Sequence, residues 1–188
     1  MLNLHKVRQF RRALDPVPEL EGFDAETGLA GRELLLERVE RQWKWCRDHK
    51  QTICLMMVNV DHFGAYRAVY GRTAANAALA RIAETISECC RRRADFAGRV
   101  REDEFAVLLA DAPLEGARQV AERIRLGVYA NAGEPDRDGN DPLTASIGVA
   151  CTVPSSSRFV MSLVHNADRA MKRAKESGRN RVVMHDDA

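Results

Sequence analysis

Three groups of charged residues have types and spacings that could bind phosphate or a metal ion. They are Asp103 with Glu104, Arg92 with Asp95, and Lys175 with Arg179. Neighbouring carboxylates hold hard divalent cations through their oxygens. Arginine and lysine donate hydrogen bonds to phosphate, and arginine does so with a planar pair of donors. The chain therefore carries side chains suited to a phosphorylated ligand, and the surrounding elements must position them.

The composition is that of one globular domain with a short N-terminal extension. The chain has 188 residues, of which 45% are hydrophobic and 30% charged, and its formal net charge is +2. So small a charge does not indicate binding to nucleic acid or an anionic membrane. The five cysteines are odd in number and lack zinc-site spacing, so we expect reduced thiols in a cytosolic protein. No apolar run approaches the ~20 residues of a membrane span, and the first residues lack the apolar core of a secretory signal.

Hydrophobic periodicity predicts a mixed α+β domain with one sheet. Helices are expected at 31–49, 62–69, 74–91, 113–130 and 158–176, and strands at 52–60, 95–100, 103–110, 142–152 and 180–184. The continuous apolar run 52–60 is typical of a buried central strand. The second and third strands are predicted to form a hairpin with a two-residue turn at Arg101 and Glu102. A polar loop is expected at 131–141.

The charged residues lie within a series of short motifs that extends over residues 24–184. The motifs are Asp24-Ala-Glu-Thr-Gly-Leu29 with Arg32, Asn59-Val-Asp-His-Phe63 with Tyr70-Gly71, Arg99-Val-Arg-Glu-Asp-Glu-Phe105, Ser146-Ile-Gly-Val149, Ala167-Asp168, Ala174-Lys175 and Ser177-Gly-Arg-Asn180. In order and spacing this series resembles the motifs of the GGDEF (diguanylate cyclase) family. In the third motif, Arg101 and Glu102 stand where the family has two glycines.

The resemblance implies a fold, a reaction and a division of the chain. The fold is a palm-like, nucleotidyl-cyclase-like α+β domain in which helices flank a central mixed sheet of five strands. The family reaction joins two GTP molecules into cyclic di-GMP across a dimer, with the help of Mg²⁺. We expect an N-terminal extension or linker helix at residues 1–22 and a degenerate GGDEF domain at 23–188.

The resemblance places the metal site at Asn59 and Asp103, next to the Val60 carbonyl and the Glu104 side chain. Asn59 stands where the family has a carboxylate, and a neutral amide removes one of the anionic ligands that hold cations on a triphosphate. Asp103 alone remains as a metal candidate. We expect no metal to be required, and Mg²⁺ to be needed only if cyclase activity survives. Asp61 is expected to cap the following helix.

The nucleotide pocket implied by the resemblance is altered at further positions. Arg101 and Glu102 would need positive φ in a type I′ turn, at an expected cost of roughly 1–2 kcal/mol per residue. A turn of another type is the alternative. The side chains of both residues would also occupy the space of guanine and ribose. Arg67 and Asn76 stand where the family has the Asn and Asp that bind guanine, and neither accepts hydrogen bonds as a carboxylate does. Phe63 belongs to the same pocket.

Five further residues match the family's phosphate-binding and product-binding positions. Lys175 and Arg179 stand at phosphate-binding positions, although cations at the end of a helix are also favoured by its dipole. Arg92 and Asp95 form an RxxD motif at the family's spacing before the signature, and Arg123 stands where the second product-site arginine lies. The resemblance implies that these three residues bind cyclic di-GMP. The alternative is a solvated, arginine-rich helix end.

Three functions remain open from the sequence. The first is a regulatory module that binds cyclic di-GMP in a cytoplasmic signalling protein, with a protein partner, an upstream sensor domain or a second copy of the chain. The second is an active or weakly active diguanylate cyclase. The third is a protein-interaction scaffold that binds no nucleotide.

Overall fold

The computed structural model describes residues 22–131 and 143–185. The helices are α1 (Arg32–His49), α2 (Phe63–Cys89), α3 (Leu114–Asn131) and α4 (Val160–Glu176), and the strands are β1 (Ile53–Val60), β2 (Phe96–Arg99), β3 (Glu104–Ala110), β4 (Ala145–Thr152) and β5 (Val182–Met184). The predicted extension 1–22 and the polar loop 131–141 lie outside the described residues, except for one residue each. No helix within the described ranges is long and apolar enough to span a bilayer.

A five-stranded mixed sheet forms the centre of the domain, as predicted. The strand order is β2-β3-β1-β4-β5. Strands β4 and β5 are parallel, and the other neighbouring strands are antiparallel. All eight residues of β1 are buried, which explains why its sequence is continuously apolar rather than alternating. The central position of β1 puts its last residues beside the first residues of β3 and β4.

Helices cover both faces of the sheet, and a separate hydrophobic core forms on each face. On one face, Leu79 of α2 and Ile124 of α3 pack with strand residues such as Met56. On the other face, Val39 of α1 and Met171 of α4 belong to the second core. Because side chains alternate along a strand, successive residues of β1 contribute to opposite cores. The α+β prediction is therefore confirmed.

The hairpin between β2 and β3 has a different turn from the one predicted. The backbone N–H of Val100 donates to the Glu104 carbonyl over 2.8 Å, so the connection has three residues, 101–103, and not two. Neither Arg101 nor Glu102 is among the described residues with positive φ. The predicted two-residue length is therefore wrong, whereas the alternative of another turn type holds, because the longer connection reverses the chain without left-handed backbone at Arg101 or Glu102.

Helix α2 is bent at Gly71. This residue has φ 80° and ψ 172°, which are not helical values. Glycine adopts positive φ readily because it has no side chain to collide with the backbone. The bend divides α2 into two segments that correspond to the helices predicted at 62–69 and 74–91.

Two of the five cysteines are joined, which corrects the expectation that all are reduced thiols. Cys54 of β1 and Cys151 of β4 form a disulfide, because the strand register places them directly opposite each other. Cysteine number and spacing could not indicate this pair, since its members lie 97 residues apart in sequence. Cys46, Cys89 and Cys90 are free thiols.

Gly148 allows α4 to lie directly against β4. A β-carbon at this position would overlap the backbone nitrogen of Met171 and the carbonyl oxygen of Ala167. The neighbouring atoms belong to the backbone, so they cannot move aside as a flexible side chain could. A glycine in a strand often marks such close approach of another backbone segment.

Gly148→Ala is expected to lower the free energy of unfolding by about 2 kcal/mol or more, because α4 must move to admit the methyl group. Urea unfolding followed by circular dichroism measures this change. Gly64→Ala is the matched control, because nothing lies within 4 Å of a β-carbon there. Equal stability of Gly148→Ala and the native protein would contradict the close packing of α4 on β4.

Candidate functional site

A buried carboxylate follows the last residue of β1. Asp61 is 3% exposed, and the hydroxyls of Thr144 and Ser146 donate to it over 2.7 Å each. The backbone N–H of Asn180 also donates to it, over 3.1 Å. The prediction that Asp61 caps α2 is wrong, since His62 is the N-cap residue and no side chain caps the helix. Asp61 points to these three donors instead, because a buried charge without hydrogen bonds is very costly.

The structure brings Asn59, Asp103 and Glu104 together at the start of β3. The Asn59 amide donates to Asp103 Oδ2 over 3.3 Å and to Glu104 Oε1 over 3.5 Å. Arg101 approaches the other Glu104 oxygen at 3.5 Å. The backbone N–H of Val60 donates to the Asp103 carbonyl over 3.0 Å, which holds the turn against β1. An amide N–H thus lies between two carboxylates that would otherwise repel each other.

The residues present do not fit a metal site in this arrangement. A divalent cation needs several oxygen ligands, whereas Asn59 turns its N–H groups, and not its oxygen, toward Asp103 and Glu104. Within residues 22–131 and 143–185, no three His, Cys, Asp or Glu side chains come together as a metal-binding group. The arrangement is a hydrogen-bonded cluster of two acids and one amide.

A cavity of about 470 Å³ lies among the residues that the resemblance assigns to guanine, and its polar side chains bind one another. It is lined by Glu26, Phe63, Arg67, Arg72, Asn76, Leu79, Arg99 and Glu102. Arg67 forms an ion pair with Glu102, and the Asn76 amide donates to Glu26 over 2.7 Å. Phe63 belongs to the hydrophobic core. Four of the predicted pocket residues, Phe63, Arg67, Asn76 and Glu102, are therefore brought together, and the polar ones among them already have partners. Arg101 lies outside this cavity, and Val60 belongs to the hydrophobic core.

Arg99 joins the N-terminal motif to the turn of the hairpin. Its Nη1 donates to Asp24 over 3.0 Å and to Glu26 over 2.7 Å, and its Nη2 donates to the Glu102 carbonyl over 2.7 Å. Burial alone would raise the pKa of the Asp24 carboxyl, but hydrogen bonds from Thr27 and Arg99 outweigh burial and lower that pKa. Burial likewise lowers the pKa of Arg99, but its bonds to Glu26 and Asp24 outweigh this effect and raise it. The network therefore favours the charged form of both groups.

Glu26 is the site residue that the sequence analysis missed. Its partners Asn76 and Arg99 lie 50 and 73 residues away in sequence, and only the fold brings the three together. Glu26 also occupies a position at which the N-terminal motif specifies no residue type. The one available signal was an acid without an assigned role in the motif that precedes α1.

The two predicted phosphate-binding cations do not line the same cavity. Lys175 lines a groove between α1 and α4, whereas Arg179 lines a cavity of about 440 Å³ together with His62. The Arg179 backbone is left-handed, with φ 60°. In this arrangement Lys175 and Arg179 do not form a common phosphate site.

The predicted product-site residues lie around the end of α2. The backbone N–H of Arg92 donates to Asp95 Oδ2 over 2.8 Å, and Arg92 Nη2 donates to the Ala110 carbonyl over 3.1 Å. Burial raises the pKa of the neighbouring Cys90 to about 12, with a further contribution from the Asp95 carboxylate, and Arg123 opposes this shift. Asp95 and Arg123 thus both act electrostatically on the same thiol at the end of α2.

Comparison with known proteins shows similarity over most of the chain. A family profile described as "Diguanylate cyclase, GGDEF domain" matches residues 22–181. The chain is 35% identical over 141 residues to diguanylate cyclase A of Treponema denticola, which covers 73% of this chain and 36% of that protein. The chain therefore spans little more than a third of the length of this relative.

Two solved structures share the fold. The GGDEF domain of DgcB from Caulobacter crescentus, solved in complex with c-di-GMP, has a TM-score of 0.80 and 26% identity, covering 88% of this chain and 93% of that chain. Diguanylate cyclase SiaD from Pseudomonas aeruginosa, solved in complex with its activator SiaC, has a TM-score of 0.78 and 31% identity, covering 96% of this chain and 66% of that chain. The palm-like fold expected from the motifs is confirmed.

Asn59→Asp is expected to convert the hydrogen-bonded cluster into a cation site. Without divalent ions the variant should melt at a lower temperature than the native protein, because three facing carboxylates repel one another. Mn²⁺ should then raise its melting temperature, and an ion at about 100 times its dissociation constant would stabilise the fold by about 2.7 kcal/mol. Thermal unfolding with and without MnCl₂ measures both effects.

Asn166→Asp is the matched control for this variant, because it adds a carboxylate at a different cavity and should show no response to Mn²⁺. The role given to the Asn59 amide would be contradicted if Mn²⁺ stabilised the native protein as much as Asn59→Asp.

Proposed function

Because the chain belongs to the GGDEF domain family, we propose that it is a regulatory module that binds cyclic di-GMP and has lost efficient cyclase activity. The ligand-binding residues in this proposal are Arg92, Asp95 and Arg123. In the pocket that holds GTP in cyclases of the family, the polar side chains are, in this proposal, already paired with one another.

A single buried oxygen carries the proposal. Asp95 Oδ1 is buried and has no hydrogen-bond partner among the described residues. The other oxygen, Oδ2, is held by the backbone N–H of Arg92, so the unpaired oxygen has a defined direction. Leaving a buried acceptor unsatisfied costs about 1–3 kcal/mol, and a ligand with N–H donors would recover this energy when the partly exposed Asp95 side chain turns Oδ1 to the surface. The Watson–Crick edge of guanine offers such donors.

Two arginines complete a site for a ligand with guanine and phosphate groups. Arg92 is anchored through one nitrogen to the Ala110 carbonyl, which leaves its other donors for phosphate or for the O6 and N7 atoms of guanine. Arg123 is exposed on α3, and it opposes the rise that burial causes in the pKa of the Cys89 thiol. A ligand that bridges the two arginines could also donate to Asp95.

The loss of efficient catalysis is proposed from the guanine pocket and the acid cluster. Guanine could hydrogen bond to Arg67, Glu102 and Asn76 only in competition with the Arg67–Glu102 ion pair and the Asn76–Glu26 hydrogen bond. Asn59 supplies no third carboxylate to hold cations against a triphosphate. Mg²⁺ would be required only if cyclase activity survives, and weak activity is the alternative to this proposal.

A regulatory module acts on a partner protein or on another domain of the same protein. The SiaD structure contains an activator protein, and the chain spans only part of its relatives. We therefore include a protein partner, an upstream sensor domain or a homodimer in the proposal. The proposed location is the cytoplasm, where the Cys54–Cys151 disulfide would be subject to reduction.

Calorimetric titration with cyclic di-GMP is expected to give a dissociation constant of about 1 µM or lower. Arg92→Ala should abolish the heat of binding, because it removes both the phosphate donors and the anchor to Ala110. Arg91→Ala is the matched control, since Arg91 contacts only the Glu88 carbonyl and lies outside the motif. Equal binding by both variants, or no heat with the native protein, would remove the proposed site.

Incubation with GTP and Mg²⁺ or Mn²⁺ is expected to yield no cyclic di-GMP detectable by chromatography. A product peak that disappears in Asp103→Ala would instead establish a cyclase. The absence of both product and cyclic di-GMP binding would favour a scaffold that binds no nucleotide.

A further inference from the structure

A narrow groove lies between α1 and α4, on the face of the sheet opposite α2 and α3. Its volume is about 460 Å³, and its apolar lining includes Leu35 and Val39 of α1, Leu55 and Met57 of β1, and Val164 and Met171 of α4. Leu55 and Met57 are 2% and 6% exposed, so the floor of the groove is the central strand. The groove therefore offers an apolar interior that reaches the middle of the domain.

Two large apolar side chains are exposed along this groove, one on each helix. Leu36 of α1 is 40% exposed, and Met161 of α4 is 48% exposed. Both line the groove. Exposed apolar side chains that adjoin an apolar cavity mark a surface that can gain free energy by covering them.

Charged residues surround the same groove, and cations outnumber acids among them. The cations are Arg32, Arg101, Lys172 and Lys175, and the acids are Glu104 and Asp168. Lys172 is paired with Asp168 over 2.8 Å, and Arg101 approaches Glu104 at 3.5 Å. Within residues 22–131 and 143–185, Arg32 and Lys175 form no ion pair. Two positive charges are therefore left over beside an apolar interior.

We propose that this groove binds a small anionic amphiphile, with a carboxylate or phosphate headgroup and an unbranched apolar chain. The headgroup contacts Arg32 and Lys175, and the chain lies over Leu55 and Met57. Burial of the chain supplies most of the free energy, at roughly 0.8 kcal/mol per methylene group. The two unpaired cations select a negative headgroup.

The size of the groove favours a small molecule over a protein segment. At about 30 Å³ for each water-sized group, a volume of about 460 Å³ holds roughly fifteen such groups. This volume suits a chain of about ten carbons with its headgroup.

This site does not depend on the proposed cyclic di-GMP function. None of Arg92, Asp95 and Arg123 lines the groove. The groove does include Lys175, which stands at a phosphate position of the family but lies apart from the cavity that Arg179 lines. A headgroup in the groove would give Lys175 a partner.

Decanoate is the probe for this proposal, with 1-decanol and decyltrimethylammonium as controls of the same chain length. Calorimetry below the micelle concentration, together with thermal unfolding, measures binding to the native protein. Decanoate should bind saturably and raise the melting temperature. Its dissociation constant should be lower than that of either control by about tenfold or more.

Two variants with a matched control test the position of the ligand. Arg32→Gln removes one unpaired cation and should weaken decanoate binding by about tenfold. Leu36→Asp places a carboxylate at the groove and should abolish it. Arg47→Gln is the control, because Arg47 lies on the same helix but pairs with Asp48 and does not line the groove. If Leu36→Asp does not fold, Arg32→Gln decides the outcome.

The proposal would be overturned if decanoate and decyltrimethylammonium bound equally. It would also be overturned if Arg32→Gln bound decanoate as tightly as the native protein and the Arg47→Gln control do. Co-sedimentation with phosphatidylglycerol vesicles in the absence of decanoate binding would also overturn it, since the surface would then recognise a membrane and not a free amphiphile.

Discussion

At the end of the central strand, the Asp61 carboxylate is almost fully buried and must be satisfied by protein donors. The hydroxyls of Thr144 and Ser146 and the backbone N–H of Asn180 provide three hydrogen bonds. These donors come from the beginning of β4 and from the loop before β5. One carboxylate therefore joins the end of β1 to two other parts of the chain. Breaking any of these bonds would leave a buried polar group without a partner, which is costly. This end of the sheet therefore keeps its geometry without a ligand.

The residues of the nucleotide pocket that depart from the family pattern also have polar partners. Asn59 donates to the two acids that it faces, and the arginine at position 67 pairs with the glutamate at 102. Asn76 binds Glu26, and Arg101 approaches Glu104 outside the guanine cavity. Hydrogen-bonded networks of this kind favour one arrangement of their side chains. They are the physical basis of our proposal that the domain regulates rather than synthesises.

The sequence predicted the features that depend on local pattern and missed those that depend on register. The apolar run of β1 and the two segments of α2 were predicted because burial and periodicity are recorded in consecutive residues. The three-residue turn, the Cys54–Cys151 disulfide and the contacts of Glu26 depend on which strands and motifs become neighbours. Asp61 was assigned to a helix cap on residue preference, but three distant donors outweighed that preference. The product site stays a prediction that rests on RxxD as a local motif, whereas the unpaired oxygen of Asp95 became visible only in the fold.

The ion pair between Arg67 and Glu102 also has an evolutionary consequence. Replacing Arg67 alone would leave the Glu102 carboxylate without its partner, and replacing Glu102 alone would leave a guanidinium without its partner. Asn76 and Arg99 share Glu26 in a similar way, so their effects are also coupled. The Arg67 and Glu102 side chains are 44% and 58% exposed, so the loss of either partner costs at most about 1 kcal/mol. Under the proposed loss of cyclase activity, a return to synthesis would therefore need changes at several coupled positions rather than at one.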